Sequence, residues 1–217
     1  MTMPNFSARP VALSIAGFDP SGGAGVLADL KSFAAHDCYG VAAVAAITAQ
    51  NTCEVRRVAA VEPSLLKLQI QTLVDDITVA GIKVGLLGSR RNMEVVAEFL
   101  AAHRDLPIVI DPVLCSSSGA EFVSAQDLGP FSRHLLPLAR VITPNAEEAG
   151  RLLGLPVAEA SAPAALPPPW FRVAAHGAPL LRGAGNTPLV VDLSSLWAGP
   201  LCTQLLALAG ARVLKVE

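Results

Sequence analysis

The sequence predicts an α/β fold built on a mainly parallel sheet, and three observations point to it. Short apolar runs alternate with segments whose apolar residues recur at helical spacing, the pattern of successive βαβ units. The first of these runs passes through a glycine-rich turn, "SIAGFDPSGGAG" (residues 14–25), into a helical stretch. Among 217 residues 52% are hydrophobic and 16% charged, which excludes a disordered chain and suits one domain, or one domain and a fragment.

In chain order, the expected strands are Val11 to Ala16, Val41 to Thr48, Gly81 to Leu87, Pro107 to Asp111 and Arg140 to Thr143. They are short and apolar throughout, as strands covered on both faces should be. Between them, "PSLLKLQIQTLVDD" opens with Pro63 and Ser64 as helix-start signals and places Leu66, Ile70, Leu73 and Val74 on one helical face. A second helix is predicted from about Asn92 to His103, where Val95, Val96, Phe99 and Leu100 form the apolar stripe.

The pattern changes after Leu155. "PVAEASAPAALPPPW" is rich in Ala and Pro without a core-forming period, and reads as a stiff linker. Beyond it, "PLVVDLS", "GPLCTQLLALAG" and "ARVLKVE" read as strand, helix and strand. A final parallel strand with nothing beside it would be an exposed apolar edge, so this segment is expected to be incomplete or to borrow a partner. The expected organisation is an α/β domain over 1–155, an Ala/Pro-rich linker over 156–187 and a short βαβ fragment over 188–217.

A net charge of −2 offers no basic field for nucleic acid, and no apolar run reaches the length of a membrane span. A cytoplasmic protein binding neither nucleic acid nor membrane is therefore expected. The four cysteines lack CxxC spacing and read as reduced thiols, and none of the four histidines has a partner at metal-ligand spacing.

The glycine turn admits three mechanisms. A phosphate-binding P-loop needs Lys and Ser/Thr after its second glycine, but Gly23 and Ala24 stand there. A dinucleotide fingerprint is met by Gly23, Gly25 and Ala28, yet the second strand ends in "ITAQNT" without the acid that holds ribose hydroxyls. The third reading is a tight strand-to-helix turn.

Five segments then come into play: "ALSIAGFDPSGGAGVLADLKSF", "YGVAAVAAITAQNT", "IKVGLLGS", "IDPVLCSSSG" and "LLPLARVITPNAEEAGRLLG". In order and spacing they resemble the hydroxymethylpyrimidine and phosphomethylpyrimidine kinases of thiamine biosynthesis, over about residues 11–155. The resemblance implies a ribokinase-like three-layer α/β/α fold, here expected to be truncated, with ATP and Mg²⁺ as cofactors, a small pyrimidine as substrate and a homodimer as the assembly. It puts the glycine loop on the substrate side. Gly17, Asp29 and Gln50 become pyrimidine contacts, the Gln50 amide being able to donate to and accept from the heterocycle, and Leu86 and Val113 line the same pocket. It assigns Asn145 and Glu148 of "TPNAEE" to Mg²⁺ and phosphate, with Asp111 as a further acid and the metal held through Asp111 and Glu148.

Each residue also has a plainer reading. Asp29 suits the start of a helix, Gln50 the end of a strand, and Asn145 with Glu148 a helix capping box. Ser116, Ser117 and Ser118 form a polar loop that suits closure over substrate, or a plain serine-rich turn. The family completes its site with a Gly-Thr-Gly-Cys turn opening a helix, and the closest string here, "RGAGN" (182–186), has neither the Thr nor the Cys. The catalytic group is thus left unassigned.

Residues 188–217 resemble the opening strand-helix-strand of class III coenzyme A transferases through Asp-Leu-Ser, Ala-Gly-Pro and Lys-Val-Glu. Asp192 is not that family's catalytic carboxylate. The leading expectation is ATP-dependent phosphorylation of hydroxymethylpyrimidine or its phosphate. The alternative is a non-catalytic chimeric or truncated product, or a coenzyme A transferase-like fragment that needs a partner chain.

Overall fold

The computed structural model describes residues 9–115, 121–154, 173–174 and 189–191. Its strands are β1 (Val11–Phe18), β2 (Tyr39–Gln50), β3 (Val55–Ala60), β4 (Gly81–Val84), β5 (Ile108–Ile110), β6 (Val141–Ile142), β7 (Val173–Ala174) and β8 (Leu189–Val191). Its helices are α1 (Gly25–Ala35), α2 (Pro63–Asp76), α3 (Arg90–Ala102), α4 (Ala125–His134) and α5 (Ala146–Leu153). The strands form one sheet in the order β3-β2-β1-β4-β5-β6-β8-β7, parallel except where β3 runs antiparallel to β2. The α/β class and the mainly parallel sheet follow the expectation.

Alternation along β1 divides the core. Val11, Leu13 and Ile15 join Ile82, Val84, Ile108 and Ile110 in an apolar layer with Leu66 and Ile70 of α2, Val96 and Leu100 of α3 and Phe131 of α4. The intervening positions face α1, whose Val26 and Phe33 are buried. Each fully buried aliphatic side chain in these layers contributes about 1.5–3 kcal/mol relative to exposure.

Helix α2 occupies the predicted span, with Pro63 at its start and the Glu62 carboxylate accepting from Leu65 N–H. Helix α3 starts two residues before the predicted span, because Ser89 caps it by accepting from Asn92 N–H. The predicted strand 81–87 ends at Val84, and the rest is a loop turning at Gly88 (φ +76°). Three elements were not predicted. Strand β3 is an exposed edge bearing Arg56 and Arg57, and α4 contains Gly129 and Pro130. Among residues expected to be linker, Val173–Ala174 pairs parallel with β8, and β8 pairs parallel with β6.

Only the carboxyl half of β2 pairs with β3, from Ala46 onward. At Val44 the Gln69 side chain of α2 takes the place of a strand, accepting from Val44 N–H at 3.0 Å and donating to Val44 C=O at 3.1 Å. No helix among the described residues is long and apolar enough to cross a membrane.

Candidate active site at the carboxyl ends of the strands

The turn after β1 is organised by one side chain. Asp19 is 3% exposed, and its carboxylate accepts from Ser21 N–H at 2.8 Å, Ser21 O–H at 2.7 Å, Gly23 N–H at 3.1 Å and Ala24 N–H at 2.9 Å. Gly22 N–H closes the turn on Asp19 C=O, with Pro20 at the second position where its fixed φ fits. Gly25 has φ +58°, and a Cβ there would lie 2.1 Å from Gly17 C=O, so no other residue fits. The glycines therefore make a strand-to-helix turn, and its conformation brings Gly17 against Leu86, whose Cδ2 would sit 3.0 Å from an added Cβ.

Beneath this turn lies a buried polar row on the α1 face of the sheet. Ser14 of β1 pairs in register with Lys83 of β4, which pairs with Val109 of β5, two residues before Asp111. Asp29 of α1 descends onto the row. Its Oδ2 accepts from Ser14 Oγ at 2.6 Å and from Lys83 Nζ at 3.0 Å. Lys83 Nζ also lies 3.8 Å from Asp111 Oδ2. The side chains of Lys83 and Asp29 are 5% and 3% exposed, so Asp29 is not a solvated residue of the first helical turns.

Further along the sheet edge, Asn145 caps α5 and forms the predicted capping box. Its side chain accepts from Glu148 N–H at 2.9 Å, and Glu148 Oε2 accepts from Asn145 N–H at 2.9 Å. The other Glu148 oxygen accepts from Leu114 N–H at 3.4 Å. Burial pushes the Glu148 carboxyl up to about 7, Asp111 and Glu147 adding to the rise and the two backbone amides opposing it. Burial likewise raises Asp111, with Asp29 adding to the effect and Lys83 opposing it. The Thr143 hydroxyl, buried at the end of β6, is near enough to Asp111 to oppose the shift but finds no partner in hydrogen-bond geometry.

The fold thus gathers Gly17 with Leu86, and Asp29 with Asp111 through Lys83. Gln50 closes β2, four residues beyond Ala46, the register partner of Gly17. Val113 lines a cleft of about 220 Å³ with Gly85, Leu87, Arg90 and Phe131, on the α3 and α4 side of the strand ends. Ser116 to Ser118, the 182–186 string and Asp192 lie outside the described residues. Ser14, Asp19 and Lys83 were missed. A lysine inside the apolar run "GIKVGLL" was a usable signal, because a lysine is almost never fully buried without a partner.

An open, mainly parallel sheet that collects polar side chains where its strands end defines an α/β protein with its ligand site at that end. The family described as phosphomethylpyrimidine kinase matches residues 19–166, and CoA-transferase family III matches residues 188–217. Over 154 residues the chain is 42% identical to the hydroxymethylpyrimidine/phosphomethylpyrimidine kinase of Synechococcus elongatus, covering 71% of this chain and 58% of the relative. A crystal structure of phosphomethylpyrimidine kinase from Clostridium difficile 630 superposes with a TM-score of 0.63 at 37% identity, covering 68% of this chain and 64% of that one. Pyridoxal kinase from Bacillus subtilis, solved as an ADP complex, gives a TM-score of 0.60 at 34% identity, covering 69% of this chain and 55% of that one. The chain belongs to the phosphomethylpyrimidine kinase family. It spans a little over half the length of the curated relatives it matches.

Proposed function

We propose that the described residues form the pyrimidine-binding portion of an ATP-dependent hydroxymethylpyrimidine/phosphomethylpyrimidine kinase of thiamine biosynthesis. The observation that carries this reading is the family match over residues 19–166, which takes in Gly17's neighbour Leu86 as well as Asp29 and Asp111, the two acids on either side of Lys83. Gly17 leaves a flat backbone surface under a ring, Leu86 packs against it, and Asp29 accepts from an exocyclic amine. Gln50 and Val113 are the remaining expected contacts, with Val113 in the cleft beside α3 and α4.

Phosphoryl transfer is chiefly positioning and charge stabilisation. The two acids at the strand ends are both raised by burial, with Asp111 adding to the rise of Glu148, and a pair of neighbouring acids suits a divalent cation. No group of three or more His, Cys, Asp or Glu side chains forms a metal cage among the described residues. Mg²⁺ bound by Asp111 and Glu148 would take its remaining ligands from water and phosphate, as that ion commonly does, and would neutralise charge on the transferred group. The backbone N–H groups at the start of α5 face the same end of the sheet, and Asn145 fixes that end.

Calorimetric titration with hydroxymethylpyrimidine tests the reading, with saturable heat expected; no heat from a chain that melts cooperatively removes it. A second reading is a chain that binds the pyrimidine without turning it over, and the separate family match over 188–217 favours it. Phosphorylated pyrimidine formed from Mg·ATP above background decides for the first.

A further inference from the structure

We propose, resting on the pyrimidine-site reading, that Lys83 is a positioning residue: tethered by Asp111, its ammonium fixes the Asp29 carboxylate in the one orientation that meets the heterocycle. The register provides for this. Ser14 and Lys83 stand opposite each other on β1 and β4, and both point at α1, where Asp29 lies. Two residues on, the same face carries Ala16 and Gly85, and a Cβ on Gly85 would lie 3.0 Å from Lys83 Nζ and 3.1 Å from Ala16 Cβ. These small residues leave a channel along which the lysine stem runs toward the strand ends, bringing the ammonium between the two acids.

A tie between helix and sheet alone would be served as well by apolar side chains, since a buried ion pair adds little over a well-packed apolar pair. The arrangement here instead draws both charge-assisted contacts onto one oxygen of Asp29. Oδ2 takes the Ser14 hydroxyl and the Lys83 ammonium, and the rotamer is thereby set for Oδ1. Asp111 lies 3.8 Å from the same ammonium and acts on the pyrimidine site through it.

The test is calorimetry of hydroxymethylpyrimidine against the full chain and its variants. Lys83→Met is expected to weaken binding about tenfold or more, the worth of one hydrogen bond to a charged group. Lys83→Arg, which keeps the charge, should recover much of that loss. Asp111→Asn should weaken binding about threefold in the native background and cause no further loss on top of Lys83→Met, because residues acting through one group are not additive. Native affinity in Lys83→Met, or an equal Asp111→Asn cost in both backgrounds, overturns the proposal. If Lys83→Met does not fold, ¹⁵N-lysine spectra of the native chain serve instead. The Lys83 ammonium resonance is expected to move on pyrimidine addition, and a fixed resonance during saturable binding overturns the role. A native chain that folds and binds no pyrimidine removes the underlying reading and the Lys83 role with it, whereas loss of the Lys83 effects alone leaves that reading standing.

Discussion

Asp29 and Glu148 are both carboxyls hidden from solvent, 3% and 5% exposed, and they lie at the two ends of one polar row. Asp29 is met by an ammonium and a hydroxyl. Glu148 receives only backbone N–H groups and faces Asp111, and its carboxyl rises to about 7. The two ends therefore differ in their partners, an ammonium and a hydroxyl at one and backbone N–H groups at the other. Under the proposed function the Asp29 end would receive a neutral ring with polar edges and the Glu148 end a cation.

Breaking the paired end should have the largest effect. Asp29→Ala takes from the buried Lys83 ammonium the carboxylate 3.0 Å away, and about 3–5 kcal/mol of stability is expected to be lost, read from urea unfolding at pH 7.

The unpaired end should respond in the opposite sense. The folded-state carboxyl of Glu148 titrates near 7 instead of 4.5, so the folded chain holds a proton that the unfolded chain releases between those values. Its contribution is fully present below pH 4.5 and is lost as pH rises through 7, a fall of about 3 kcal/mol. Glu148→Gln keeps an acceptor for the Asn145 amide and should flatten that fall. It is expected to match the native chain at pH 4 and exceed it in melting temperature at pH 8; an unchanged pH profile would place the titration elsewhere.

The smallest effect sharpens the link between the two ends. Gly85→Ala puts a methyl against the Lys83 ammonium and Ala16, and is expected to cost about 1 kcal/mol in thermal unfolding, with a larger relative loss of pyrimidine affinity than of stability.

Much of this was legible in the sequence. The apolar runs of β1, β2, β4 and β5 and the helical stripe of α2 are signals of period and need no tertiary knowledge. Strand β3 escaped because "VRRVAA" lies on an exposed edge and has no face to bury, and α4 because a Gly-Pro pair inside a helix looks like a break. At the candidate site, the resemblance named Gly17, Asp29, Asp111 and Glu148, and the fold places Asp29 and Asp111 on either side of Lys83. Period and spacing cannot show that Ser14 and Lys83 stand side by side, because that depends on the register between strands that are distant in sequence. The plain reading of Asn145 and Glu148 as a capping box was correct in geometry, and that same geometry places the Glu148 carboxyl beside Leu114 and Asp111.

The Gln69 amide, which reads both backbone groups of Val44, has a consequence beyond local order. Strand β2 outruns its neighbour β3 and would otherwise offer a bare stretch of main chain to any extended peptide that passed. An amide presents one donor and one acceptor, as a strand residue does, and it meets both main-chain groups of Val44 from within the same molecule. At Val44 the main chain is thus already paired from within the molecule and is not open to pairing with an extended peptide.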